Sequence, residues 1–429
     1  MADAVATPPP SSAPLAPASG EVAPLARHAR RGAFPVVPVR RRDGAPLKVA
    51  LLYIVCYRYR VPIFRRLTEH PDLTVKIFVG SGIPGTKTVN ADNLSGLDVS
   101  VMPTWKKRLR STDRDVGLLF NPTLPWRLWR YNPDVLLVQG GEPINNLLML
   151  FYAKLFRKPI VWWSLGEIRG QKYSRLGQMY RAVVQWIERR ATAYLGYSSV
   201  AVDYFLRMGY EPRRCFNLVN VVDTNKVLAE IEATREQVAP LRTRLGLDGK
   251  RVVLYVGAIM KTKKLDRLIR AFAMLPDPHD ELRLLVVGDG DFRAECERVA
   301  SELRVADRVI FTGAVYEGVA AYFQLAELVV LPGMGGLVVS EAMTHRLPVI
   351  SSVGDGSEFD LIVDGENGYS IGEEGDKQLA DAVRRCLESP EQSREMGRRG
   401  RRMIDEQYNI DRYFNEMLAS VFFAAGEKK

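Results

Sequence analysis

Cysteine and histidine are scarce in this chain of 429 residues, with four of each. Cys56, Cys215, Cys296 and Cys386 stand far apart with no paired spacing, which excludes a zinc finger and a disulfide framework. Reduced cysteines in a cytosolic protein are the expected state. His28, His70, His279 and His345 are equally dispersed, so no structural metal site is expected. Long apolar runs are also missing. The longest, around Leu147 to Tyr152, stops at Lys154 and is too short to cross a bilayer. A secretory leader needs basic residues first and an apolar run after them. Here Arg27, Arg30, Arg31 and Arg40 to Arg42 come late and no such run follows, so the chain is expected to stay in the cytoplasm.

Acidic residues are in deficit: 50 against 60 lysines and arginines, a net charge of +10. That excess favours nucleotide phosphates, anionic lipid or nucleic acid as partners without choosing among them. A hydrophobic content of 47% is ordinary for a globular protein, and the length calls for two domains rather than one core.

Residues 1–46 read as a disordered tail, because Pro8, Pro9, Pro10, Pro14, Pro17 and Pro24 sit among alanine and serine that cannot build a packed face. Strands are expected at 49–55, 73–79, 135–138, 160–163 and 193–195, with helical spacing at 60–69, 144–156 and 176–190. The rhythm restarts at Arg251, with strands at 252–256, 282–287, 309–312, 328–331 and 349–351. Helices at 265–275, 292–303, 317–323 and 337–345 separate these. The polar, helical stretch 223–249 between the halves is read as the linker. Strand and helix in alternation imply an α/β protein of two doubly wound domains facing a central cleft.

The chemically informative segment runs Leu331-Pro332-Gly333-Met334-Gly335-Gly336-Leu337-Val338, then Val339-Ser340-Glu341. A buried strand ends, glycines turn the chain, and a helix begins. Gly335 and Gly336 let backbone N–H groups approach an anion, and the helix start favours negative charge there. Glu341, one turn on, is a carboxylate able to accept from a vicinal diol such as ribose. The plain alternative is a turn with Glu341 paired to an arginine. A second element is Gly257-Ala258-Ile259-Met260-Lys261-Thr262-Lys263-Lys264, a loop at a strand end whose lysines oppose a helix dipole and so point to an anionic partner. A solvated basic helix start is its bland reading.

With these residues in place the chain resembles a glycosyltransferase of family 4, a GT-B fold of two Rossmann-like domains, from Lys48 onward. The supporting pieces stand in family order: Asn220-Val221-Val222-Asp223, Val256-Gly257 leading to Lys263, and Val286-Val287-Gly288-Asp289-Gly290. Phe311-Thr312-Gly313, Ser340-Glu341-Ala342-Met343 with Leu347-Pro348-Val349-Ile350, and Asp364-Gly365-Glu366-Asn367-Gly368 follow. The resemblance implies an acceptor-binding domain over 47–225, a nucleotide-sugar-binding domain over 226–405, and a last helix over 406–429 that crosses back to the first. Tyr413, Phe414, Met417 and Val421 have the spacing to pack there.

It also implies roles by position. Glu341 matches the second glutamate of the family's paired-glutamate signature and holds ribose. Lys263 matches the phosphate-binding lysine, and these two are the residues expected to act in transfer. Leu337 and Val338 offer backbone N–H groups to the diphosphate. Gly257, Lys261, Gly288, Gly335 and Gly336 line the donor, and Val315 lies beside the base. The implied reaction retains the anomeric configuration, uses a nucleotide-sugar donor (UDP before GDP), and needs no metal and no further cofactor. Three departures stand out. The first signature glutamate falls on Gly333, the usual arginine on Ala258, and the first-domain histidine is replaced within Ser164-Leu165-Gly166-Glu167. A subgroup with a similar Pro-Gly-x-Gly-Gly-Leu turn shares the first departure. Glu142 or Glu167 is the substitute contact to the sugars.

Competing readings are weaker. Gly288-Asp289-Gly290 lacks the third glycine of a dinucleotide fingerprint, since Arg293 holds that place. Asp289-Gly290-Asp291 and Asp113-Arg114-Asp115 mimic metal-binding pairs, but no further ligand stands near either. A non-catalytic nucleotide-sugar-binding or membrane-associated protein that has lost turnover remains as the alternative, because three expected groups are absent. The acceptor is expected to be a saccharide or lipid-linked saccharide. Trp105 to Arg110, Trp126 to Tyr131 and Tyr57 to Arg60 mix rings with cations, which suits peripheral contact with an anionic membrane at its inner face. An ordinary basic surface, with tryptophan partly in the core, is the other reading of these runs. No nucleic-acid motif accompanies them.

Overall fold

A computed structural model describes residues 35–82, 89–109, 116–141, 143–167, 174–333, 335–352, 356–372 and 375–427. Asp113-Arg114-Asp115, Arg110, Glu142, Met334 and the tail up to residue 34 lie outside the described residues.

The first sheet has seven parallel strands in the order β3-β2-β1-β6-β7-β8-β9. They are β1 (Leu47–Tyr53), β2 (Leu73–Gly80), β3 (Val99–Met102), β6 (Val135–Gln139), β7 (Ile160–Ser164), β8 (Ala193–Gly196) and β9 (Cys215–Asn217). A separate antiparallel hairpin joins β4 (Trp105–Leu109) to β5 (Val116–Phe120). The second sheet is also parallel, ordered β12-β11-β10-β13-β14-β15. Its members are β10 (Arg251–Val256), β11 (Leu282–Val287), β12 (Val309–Gly313), β13 (Leu328–Leu331), β14 (Val349–Ser351) and β15 (Gly368–Ser370). Helices cover both faces of each sheet. The central strands are therefore near-continuous apolar runs, as in Val253-Leu254-Tyr255, rather than alternating ones.

Strand order reverses beside β1 in one sheet and beside β10 in the other, and each reversal opens a crevice at the carboxyl ends of the strands. The stretch after Asp223 is no free linker. Its helix Thr224–Ala233 packs on the helices Val319–Gln324 and Val338–Thr344 of the second half. The last helix, Ile410–Gly426, lies over β6 to β9 of the first sheet and buries Tyr413, Met417, Val421 and Phe422.

Two expectations are corrected. Part of the supposed tail is anchored: Val36 and Val39 pack against the core, and Arg40 pairs with Asp72 at 2.6 Å. In the run Tyr57 to Arg60 only Arg58 and Tyr59 face solvent, and Arg60 is not part of a basic surface, being 3% exposed. Its guanidinium lies 4.8 Å from the Trp163 ring centroid and 5.2 Å from that of Tyr197. Nε donates to the Tyr53 hydroxyl at 3.2 Å, and Nη1 donates to the hydroxyl of Tyr413 on the last helix. No carboxylate pairs with this cation among the described residues. Burial holds the Tyr197 and Tyr413 phenols well above their ordinary range, so the cage is neutral rings around one charge.

Replacing Tyr413 by Phe leaves a buried guanidinium N–H without its acceptor, a loss of about 1–3 kcal/mol. Urea unfolding is expected to show that loss, while Tyr316→Phe, at a residue 79% exposed, leaves the midpoint unchanged.

Candidate functional site

The site begins where β10 and β11 end. Gly257 donates its N–H to Val287 O at 3.0 Å, and Gly288 donates to Gly313 O at 2.9 Å. Gly288 has φ +150°, and a Cβ there would lie 1.9 Å from Gly257 O. Only glycine allows this approach. Ile259 N donates to Asp289 O at 3.0 Å and Phe292 N to Ile259 O at 3.1 Å, so the two loops are held backbone to backbone. Packing alone thus accounts for glycine at 288.

This zipper carries the lysines. Lys261–Lys263 form one 3-10 turn, closed by Lys263 N donating to Met260 O at 2.8 Å, and Lys264 is left-handed at φ +53°. The turn rests on β13's exit. A Cβ on Gly333 would fall 2.6 Å from Thr262 O and 2.7 Å from Lys263 C. The position where the family pattern has a carboxylate is therefore the floor on which the lysine turn sits. Buried Gly335 and then Gly336, at φ +67°, lead to the helix Val338–Thr344, for which Leu337 is the cap. Its first bonds run from Val339 N to Gly336 O and from Glu341 N to Leu337 O, so the N–H groups of Leu337 and Val338 stand ahead of the ladder.

Gly257, Lys261, Lys263, Gly288, Gly335, Gly336, Leu337 and Val338 thus gather at the carboxyl edge of adjacent strands. Lys261 is exposed and Lys263 half-buried. Val315 is half-buried just beyond β12, on the neighbouring strand end.

Glu341 is half-buried, and its carboxyl makes no hydrogen bond or ion pair among the described residues. Pairing with an arginine is thereby excluded within them. Burial pushes its pKa up to about 7; the nearby Glu230 adds to this and Lys226 opposes it. An unpartnered carboxylate in such a place lacks only a donor pair. The neighbouring Ser340 was not singled out by sequence. Its Oγ donates to Leu337 O at 2.9 Å and accepts from Val222 N at 3.1 Å, tying this helix to the segment between the domains. Asp360 makes a similar bridge from the second domain, accepting from Ser199 N at 2.8 Å.

Glu167 is engaged in ion pairs, with Arg181 at 2.7 Å and Arg207 at 3.8 Å. The first domain holds a cavity at the carboxyl ends of β1, β2 and β6, floored by Leu52 and Phe78 and rimmed by Thr104, Asn121, Gln139 and Asn145. Gln139 Oε1 accepts from Ile54 N, Asn145 Oδ1 from Asn121 N, and Asn121 Nδ2 donates to Thr104 Oγ1 at 2.9 Å. Gln139 Nε2, Asn145 Nδ2 and Asn121 Oδ1 keep no protein partner among the described residues. None of the described lining residues is charged. No motif marks these amides, which come from the exit of β5, the end of β6 and the first turn of the helix Pro143–Leu155. Among the described residues no group of three acids, histidines or cysteines could hold a metal.

Comparison with known proteins agrees with this geometry. Residues 239–403 match the model of glycosyl transferases group 1. The chain is 31% identical to alpha-D-kanosaminyltransferase of Streptomyces kanamyceticus over 57% of its own length and 64% of that protein's. It is 29% identical to a GDP-mannose-dependent alpha-(1-6)-phosphatidylinositol monomannoside mannosyltransferase of Mycolicibacterium smegmatis, over 42% of this chain and 49% of that one. The chain therefore spans about half to two thirds of these relatives. Among solved structures, Anabaena HepE in complex with UDP superposes with a TM-score of 0.67 at 18% identity, covering 87% of this chain and 98% of that one. WaaG, a glycosyltransferase involved in lipopolysaccharide biosynthesis, gives 0.60 at 19% identity, covering 87% and 98%. The fold is GT-B.

Two outcomes are expected. Gly333→Glu, which puts a carboxylate where the lysine turn rests, is expected to displace that turn and to cost about 1–3 kcal/mol in urea unfolding. For Glu341 the folded pKa of about 7 lies above the ordinary carboxyl value. The folded state then holds the extra proton, and its contribution to stability is present at low pH and lost as pH rises through 7. Glu341→Gln is expected to be more stable than wild type at pH 8, on the order of 1 kcal/mol, and equal to it near pH 4.

Proposed function

We propose that the chain is a retaining, metal-independent glycosyltransferase, one that moves a hexose from a nucleotide diphosphate sugar to a saccharide or lipid-linked saccharide acceptor. Its place is cell-surface glycan assembly, in the cytoplasm or peripheral on the inner face of the membrane. One observation carries the reading: the Lys263 turn is seated on Gly333, beside the N–H groups of Leu337 and Val338, with unpartnered Glu341 one turn further. In this assignment Glu341 accepts from the ribose diol. The diphosphate lies across the helix start and Lys263, with Lys261 nearer solvent. As the bond between the anomeric carbon and the phosphate oxygen breaks, negative charge builds on that oxygen, and cation and N–H groups already in place stabilise it.

Val315 borders the base. A uridine donor is preferred over guanosine on family frequency. Lysines in place of an ion support transfer without a metal. The acceptor belongs in the amide-rimmed cavity of the first domain, whose free N–H and C=O groups suit hydroxyls. Water must be excluded for transfer to outrun hydrolysis, and closure of the two domains around the donor supplies that.

A second reading, a nucleotide-sugar-binding protein without turnover, is favoured by Gly333 and Ala258 standing where a carboxylate and an arginine are usual. Proton magnetic resonance of a donor panel, run with EDTA present, separates the two. Transfer or slow donor hydrolysis with a retained anomeric signal is expected, with Lys263→Ala lowering the rate about 100-fold. Unchanged transfer in that variant overturns the phosphate assignment. UDP binding with neither transfer nor hydrolysis establishes the second reading.

A further inference from the structure

Three helices lie side by side on the face of the first sheet opposite the last helix: Leu124–Tyr131, Pro143–Leu155 and Arg175–Glu188. Each buries one stripe against the sheet, as Leu128, Met149 and Ile187 show. Each also presents an apolar stripe outward. Trp126 and Trp129 are 55% and 60% exposed, and Phe151 and Leu155 are 70% and 63% exposed. Met179 and Trp186, on the third helix, are 67% and 46% exposed. The spacing within each helix is three, four or seven residues, so the outward residues form three parallel ridges. The second helix is consequently apolar on both sides, which no soluble surface requires.

Charge on the same face has one sign. The segments 124–131, 143–158 and 175–190 carry two, three and four lysines and arginines respectively, and a single acid, Glu188. That acid is buried, accepts from the Tyr204 and Tyr210 hydroxyls, and is pushed up to about 7 by burial. Acids beside these segments are themselves paired, Glu167 with Arg181 and Arg207, and Asp98 and Asp134 near Tyr131 with Lys76 and Arg41. Cations and rings are interleaved: Arg130 stands 5.6 Å from the Trp126 centroid, and Arg190 and Lys154 stand 3.6 Å and 5.8 Å from that of Trp186. No described helix is long and apolar enough to cross a membrane.

We infer that this three-helix face docks on an anionic lipid bilayer, its ridges entering the interface and its cations meeting lipid phosphate. An acidic protein is the poorer fit, because protein interfaces gather their anchors in pockets near one centre, whereas these rings are spread along three ridges. Charge complementarity and interface-seeking tryptophan favour lipid. The inference gives a surface to the peripheral attachment proposed above: it keeps the Trp126 to Tyr131 run, which lies in the first of these helices, and adds the two beside it. It also has a geometric consequence. Helix Pro143–Leu155 contributes Asn145 to the amide cavity near its first turn and Phe151 to the docking face further on. Docking therefore holds the cavity at the height of lipid headgroups, where a lipid-linked saccharide presents its sugar.

Flotation of the full chain with phosphatidylglycerol-containing vesicles, against phosphatidylcholine alone, tests this. Binding to the anionic vesicles only, reversed by salt, is expected. Trp129→Ser with Phe151→Ser, and separately Arg130→Glu with Arg189→Glu, are each expected to cut the bound fraction about tenfold while UDP binding and thermal unfolding stay unchanged. Absence of flotation by wild type overturns the inference, as does undiminished flotation of both variants. Sedimentation showing a wild-type dimer that the apolar variant dissolves would give the face to a second copy instead. Loss of sugar transfer alone, with flotation intact, counts against the enzymatic reading and not against this one.

Discussion

Everything at the donor side depends on backbone meeting backbone without side chains between. Gly288 lies against Gly257 O, and Gly333 against Thr262 O and Lys263 C. These approaches fix three loops from three strands as one solid edge, so that the lysine turn and the start of the helix Val338–Thr344 share a common frame. Electrostatic stabilisation of a leaving phosphate needs donors that do not move when charge appears. A zipper of main-chain hydrogen bonds supplies that rigidity more cheaply than side chains could, because peptide groups have no rotamer freedom to lose.

The two halves of the molecule solve different problems with the same architecture. The second half concentrates cations and free N–H groups where its strand order reverses. The first presents neutral amides at its own reversal and confines Arg60, its one buried cation among the described residues, to a ring cage. Ser340 bonded to Val222 N, and Asp360 bonded to Ser199 N, join the halves at points that are themselves next to functional elements. The helix carrying Glu341 is thus bonded directly to the segment that joins the two halves.

Much of this was legible in the sequence. Buried parallel strands such as Val252 to Val256 announce themselves as continuous apolar runs, and glycine turns after them mark the crevice. The edge strands β3, β9 and β15 escaped notice, since each is short and none is a continuous apolar run, and β3 is half exposed. Tyr57 to Arg60 misled for a different reason. A basic residue among tyrosines reads as surface until the fold shows Trp163 and Tyr413 arriving from β7 and from the last helix to enclose it. The amides of the first domain, Asn121, Gln139 and Asn145, follow no motif and were likewise invisible. So was the reason for Gly333, which sequence comparison registers as a missing group and the structure shows as an occupied contact.

That contact makes positions 333 and 262–263 dependent on each other in evolutionary terms. A mutation that places a carboxylate at 333 meets the carbonyl of Thr262 first. Such a change must therefore begin at the lysine turn, and moving the turn displaces the cation proposed to face the diphosphate. Neither single step is neutral. Once adopted, the glycine and the turn form an epistatic pair that drift cannot readily undo, and chains with this turn are expected to keep both features or lose both.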